Sequence, residues 1–138
     1  MERYKNGLLL IGRILFSLIF AFGAVDHLTK INAMAGYAAS AGVPFPKLAI
    51  IVTGLMLLAG SISLLLGWKI SYGALILILF LIPVTYQVHF LGMLHATDPM
   101  QKQMQMLNLL KNIGLVGGAI YIAFLGAGKY SIDKIDKK

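Results

Sequence analysis

Apolar residues fall into four long runs separated by short polar or turn-forming breaks. The first, at about 7–28, reads GLLLIGRILFSLIFAFGAVDHL. The second, 47–67, follows Pro44-Phe45-Pro46, and the turn Gly67-Trp68-Lys69 separates it from the third, 70–90. The fourth, 104–125, starts after Asp98-Pro99 and becomes hydrocarbon-like from Met106. Each run is close to the ~20 residues that span a ~30 Å hydrocarbon layer. An open chain crossing that layer must be helical, because every backbone N–H and C=O needs an internal partner. The pattern predicts an all-α integral membrane four-helix bundle, with residues 1–138 forming a single transmembrane domain.

Composition supports this reading. Hydrophobic residues make up 59% and charged residues 12%, about half the ~25% charged share of a soluble domain. So few charges would not cover a water-exposed surface. The net charge of +7 sits mostly at the chain ends and in short loops. That placement fits membrane topology and anionic lipid, and no nucleic-acid motif accompanies it. The absence of cysteine excludes disulfides, cysteine-ligated clusters and a cysteine nucleophile within the chain. Any redox role then needs a bound molecule or a partner. The first run is longer than a signal-peptide core and contains Arg13, so it is expected to be retained as a span.

Cation counts set the expected orientation. Arg3, Lys5, Lys69, Lys129, Lys134, Lys137 and Lys138 fall on one side; Lys30, Lys47 and Lys102 fall on the other. The positive-inside rule puts both termini in the cytoplasm (N-in/C-in), as a multi-pass protein of a bacterial inner membrane. The loops at about 29–46 and 91–104 then face outward. The first of these can form a short interfacial helix ending at Gly42. Gly114 and Gly118 form a GxxxG pair, expected to pack inside the bundle in preference to a homo-oligomer interface. Pro83 predicts a kink in the third span.

Ionisable groups in hydrocarbon are costly, so each one points to a pairing or a function. Asp26, His27 and Lys30 lie at the outward end of span one, and Gln87 and His89 at that of span three. Gln101, Gln105, Asn108 and Asn112 recur at helical spacing and make one stripe on span four, flanked by Lys111. The outward half is expected to be polar and the inward half nearly bare. Lys111 is expected to pair with Asp26, directly or through His27 or Asn108. One reading is a buried structural ion pair. The other is a polar pocket for the head group of a small apolar molecule. Arg13, about one and a half turns inside the membrane, is expected to be a structural or lipid-facing charge snorkelling to phosphates. His27 and His89 share a depth, but no spacing motif supports haem or a metal, and no metal site is expected. Neither Ser17 nor Ser61 lies in a nucleophile elbow.

Several segments carry a family resemblance: Gly12-Arg13, FAFGAVDHLTK, GYAASAGVPFPKLA, QMQMLNLLKNIGLVGGAIYIA and the tail GAGKYSID. Over residues 12–133 the chain resembles the DoxX family of small bacterial four-helix membrane proteins. The family takes its name from a likeness to the small membrane subunit of a thiosulfate:quinone oxidoreductase, and other members are linked to membrane oxidoreductase complexes and oxidative-stress resistance. The resemblance implies functional weight at Arg13, Asp26, Lys30, Lys111 and Asn112, and a quinone or an oxidoreductase partner as the route for electrons. Resemblance at the level of fold does not transfer a reaction. The leading expectation is a membrane subunit binding quinone or a related lipid in the outward pocket. The alternatives are a non-catalytic scaffold or assembly partner and, behind both, a small transporter requiring an oligomer.

Overall fold

Each apolar run becomes a helix, and most of the helices extend past the run that predicted them. The computed structural model describes residues 2–135, with side chains described from residue 4 to residue 133. Arg3, Lys134, Lys137 and Lys138 of the orientation count lie outside the described side chains. The elements are α1 (Glu2–Thr29), α2 (Ile31–Ser40), α3 (Pro46–Leu66), α4 (Ile70–Val84), a π-helical segment (Thr85–Phe90), α5 (Leu91–His95), α6 (Pro99–Leu125) and α7 (Ile132–Ile135). Among the described residues, four stretches are long and apolar enough to cross a membrane: Tyr4–Thr29, Pro46–Leu66, Ile70–His95 and Pro99–Leu125.

α1 packs along α3, α3 against α4, and α4 against α6, while α1 and α6 touch sparsely and leave that side open. The buried centre is formed by Phe20, Ala24, Leu57, Leu64, Ala74, Leu77, Leu81 and Ala119. Large apolar side chains also point outward, Phe124 at 88% exposure and Phe22 at 69%. Such a surface would aggregate in water, but hydrocarbon solvates it without cost.

Because lipid removes the hydrophobic drive between helices, close approach must supply the packing. α3 and α4 cross where Gly60 faces Gly73. A Cβ on Gly60 would lie 2.5 Å from Leu77 Cδ2 and 3.3 Å from the Gly73 carbonyl oxygen, and one on Gly73 would collide with Ser63. The GxxxG pair is only half used this way. Gly118 lies under the Phe16 ring, bridging α1 and α6, whereas a Cβ on Gly114 would meet nothing within 4 Å.

The helix ends have local causes. α2 closes in a Schellman motif, with Gly42 at φ +75° and bonds Gly42 N–H to Ala39 O and Val43 N–H to Ala38 O. Asp98 caps α6 by accepting from Gln101 N–H at 2.8 Å. The interruption expected at Pro83 takes the form of the π-helical segment that begins at Thr85, just after it. Such segments re-register a helix that has lost a backbone donor. The third span therefore continues to His95 rather than ending near residue 90.

The α3–α4 turn and both chain ends meet at one end of the bundle: Leu9 lies beside Gly128, and Asp133 N–H donates to Gly67 O. This is the terminal end. The opposite, loop end carries α2 and the α5–α6 junction, joined by Gln87 Nε2 donating to Ala41 O at 2.9 Å and Gln105 Nε2 to Tyr37 Oη at 3.3 Å.

Candidate functional site

At the loop end the π-helical segment turns Thr85, Gln87 and His89 toward α2 and α6. His89, half-buried, has Nδ1 2.7 Å from Gln105 Oε1. The amide oxygen accepts, so in the neutral ring Nε2 remains an acceptor. Gln105 passes the contact on to Tyr37, making a chain that joins α6, the π segment and α2. Asn112 is buried at 5% exposure and donates to Thr85 Oγ1 at 3.1 Å.

Two cavities border this chain. The larger, about 450 Å³, is lined by Tyr37, Ser40, Gln87, His95, Thr97, Gln101 and Gln105. The second, about 250 Å³, lies deeper. Its polar wall is His27, Tyr37, His89, Lys111 and Asn112, and its apolar floor includes Phe20, Leu57, Phe80, Leu81 and Leu115. His27 is held by Nδ1–H donating to Gly23 O at 2.8 Å and by an edge-on Phe80 ring at 6.0 Å.

The expected Asp26–Lys111 pair does not form. Asp26 is exposed and bonds Lys30, four residues on and just past the end of α1, at 2.7 Å. Lys111 instead donates to Asn108 Oδ1 at 3.1 Å, one turn back on α6. Residues four apart on one helix meet without ordering two helices, which favours the local pair. Of the candidate residues, His27, His89, Lys111 and Asn112 line the deeper cavity and Gln101 and Gln105 the larger one, while Asp26 and Lys30 line neither. Asn108 touches the site through Lys111. Among the described residues, no group of three His, Asp or Glu side chains gathers as a metal site.

The terminal end departs most from expectation. Arg13 does not face lipid; it is 5% exposed. Its Nη2 donates to Leu65 O at 3.2 Å and Tyr130 O at 2.8 Å, and its Nη1 to Ala127 O. The guanidinium thus ties α1 to the last turn of α3, where an unpaired carbonyl attracts a cation, and to loop carbonyls in the chain after α6. Asp133 completes the closure. α4 has no side-chain cap of its own, and the Asp133 carboxylate accepts from Lys69 N–H at 2.9 Å and Ile70 N–H at 3.4 Å. Ser63 donates to Trp68 O at 2.6 Å and Ser71 to Ala123 O at 2.9 Å. This half is therefore not bare, and it is bound together by polar contacts to backbone. Sequence reasoning missed the arrangement because Arg13's partners are main-chain oxygens far along the chain. The available signal was an arginine inside an apolar run, plus a polar tail kept close to the last span.

Fold and site together define a multi-pass membrane protein with a latched terminal end and a polar cavity at the loop end. The DoxX family model matches residues 8–90. The chain is also similar to the inner membrane protein YphA of Escherichia coli (strain K12), 30% identical over 129 residues, covering 92% of this chain and 89% of that protein. The chain belongs to the DoxX family and is a multi-pass inner-membrane protein. No solved structure matches it.

Proposed function

We propose that the loop-end cavity takes the head group of a quinone or a related apolar lipid, and that the chain serves as the membrane subunit of an oxidoreductase system. The observation that carries this reading is Lys111. Lys111 lines an apolar-floored cavity, and among the described residues its ammonium group hydrogen-bonds a side chain of its own helix. A ligand carbonyl entering there would accept from Lys111 Nζ. His89, oriented through Nδ1 by Gln105, would present Nε2 for proton exchange, as would the ring of His27 through its own Nε2. Gln105 and Asn112, already engaged with protein partners, act as positioning residues. Ile19 and Leu115, on the facing helices α1 and α6, line the same cavity and give a tail a way out along the open side.

No side chain of this chain is an obvious electron carrier, so electrons would come from a partner protein. The positive-inside count favours a loop end that faces outward. The alternative, a scaffold for another membrane protein, is favoured by the exposed Met100 and Met104 at the start of α6, since methionine surfaces adapt to varied partners.

The test is extraction from native membranes in mild detergent, followed by mass spectrometry of bound small molecules. Quinone is expected to co-purify with the wild-type chain and to fall about tenfold in Lys111→Met, the effect of losing ~1.4 kcal/mol of binding. Equal quinone in both proteins, or none in the wild type, sinks the reading. Stoichiometric co-purification of a protein with no quinone supports the scaffold.

A further inference from the structure

A cavity larger than either at the loop end lies away from that site. It is a groove of about 950 Å³ on the open side between α1 and α6, at the terminal end. Its walls are Tyr4, Leu8, Gly12 and Phe16 on one side and Gly117 and Tyr121 on the other, with Lys5 and Arg13 contributing the charge. The volume is near the top of the ~300–1,000 Å³ range of small-molecule sites. Tyr4, Leu8, Tyr121 and Leu125 are all more than half exposed, so the groove opens sideways to lipid.

We propose that this groove holds one anionic phospholipid from the leaflet bordering the chain termini. Length is the first argument. From Tyr4 to Phe16 the groove follows about 18 Å of helix at ~1.5 Å per residue, close to one leaflet, half of a ~30 Å hydrocarbon layer. Phe16, seated over Gly118, closes it toward the loop end.

Charge is the second. Among the described residues, the groove's charged lining is cationic, Lys5 and Arg13, with no acidic side chain. Arg13 hydrogen-bonds carbonyls, which carry no full counter-charge, and its Nε is buried without a partner. Asp133, the described acid at this end, directs its carboxylate to the backbone of Lys69 and Ile70. A guanidinium in low dielectric with no carboxylate in salt-bridge contact among the described residues favours an anion nearby, and its field acts without direct contact. The acyl chains would lie along Leu8, Phe16 and Ile122, with the phosphate toward Lys5 and the tyrosines, at the depth where aromatic belts form.

A variant can fill the groove and leave the Arg13 latch intact. A Cβ on Gly117, which lines the groove, meets nothing within 4 Å, so Gly117→Leu is expected to extend a side chain into the groove. Gly114→Leu is the control, equally unhindered but outside the groove. The full chain is reconstituted in nanodiscs of phosphatidylcholine with a minority of phosphatidylglycerol, and retained lipid is counted by native mass spectrometry. About tenfold enrichment of phosphatidylglycerol is expected for wild type and Gly114→Leu, on the scale of cation attraction to anionic lipid. Gly117→Leu is expected to lose it with an unchanged Tm.

Enrichment that is absent in the wild type, or that survives in Gly117→Leu, overturns the proposal. Displacement of the lipid by inorganic phosphate would assign the site to a free anion and also overturn it. Lys111→Met is expected to keep the enrichment, so this result stands or falls apart from the loop-end reading.

Discussion

The two ends of the bundle each place a cation deep along a span, and they treat it in opposite ways. At the terminal end Arg13 is buried, and its guanidinium reaches carbonyls of Leu65, Ala127 and Tyr130. At the loop end Lys111 is exposed beside a cavity and, among the described residues, bonds a neighbouring amide in its own helix. A cation whose two terminal nitrogens are held by backbone carbonyls is fixed as part of the framework, whatever its field contributes to the groove beside it. One beside a cavity, held by a single local contact, is open to a ligand. Polar residues in a span therefore do not share one meaning, and their partners separate structure from function.

The contrast breaks most sharply at Arg13. Arg13→Met would strand three carbonyls and release the tail from α1 and α3. Leaving such groups buried and unpaired should cost about 3 kcal/mol, measured as loss of stability in detergent by thermal or SDS-driven unfolding. A variant within ~0.5 kcal/mol of wild type, the range of an ordinary surface change, would remove the latch from the account.

Next in size is the α3–α4 crossing. Gly60→Leu must push against Leu77, which is fully buried, and is expected to cost about 1–3 kcal/mol. Gly114→Leu, entering open space, should change stability by less than ~0.5 kcal/mol. Equal losses would mean that Gly114 also packs against something, a second copy of the chain being the first candidate. Asp133→Ala removes the side-chain cap that Asp133 places on α4 and should cost about 1 kcal/mol, the usual value of an N-cap. Hydrogen exchange at Lys69 and Ile70 would report it locally, and unchanged protection there would contradict the capping role.

The spans were legible because the requirement that hydrocarbon imposes on backbone polar groups overrides finer detail. Their ends were less so. Gln87 and His89 read as the polar edge of a span, yet the helix runs on to His95 because the π segment absorbs the break at Pro83 and faces those two side chains to α2 and α6. The polar stripe on α6 was readable from spacing, and it does meet the loop-end cavities through Gln101, Gln105, Lys111 and Asn112. The Asp26–Lys111 pairing failed because Lys30 satisfies Asp26 at far lower ordering cost. Arg13 reads as a structural or lipid-facing charge, but its partners were not legible, since a carbonyl acceptor has no signature in the amino-acid sequence.

The smallest expected effect is the most diagnostic for the loop end. His89 and Gln105 meet at 2.7 Å across the π segment and α6. Hydrogen bonds between membrane helices contribute about 0.6 kcal/mol on average, because separated helices find other partners. A double-mutant cycle with His89→Ala and Gln105→Ala should therefore return a coupling near ~0.6 kcal/mol, small beside the loss at Arg13. If the contact exists to orient His89 for a ligand, quinone retention should fall in Gln105→Ala by more than its stability does, with His89 itself intact. A coupling of several kcal/mol without any change in retained ligand would make the pair a structural latch like Arg13. The two ends would then differ in partners but not in purpose.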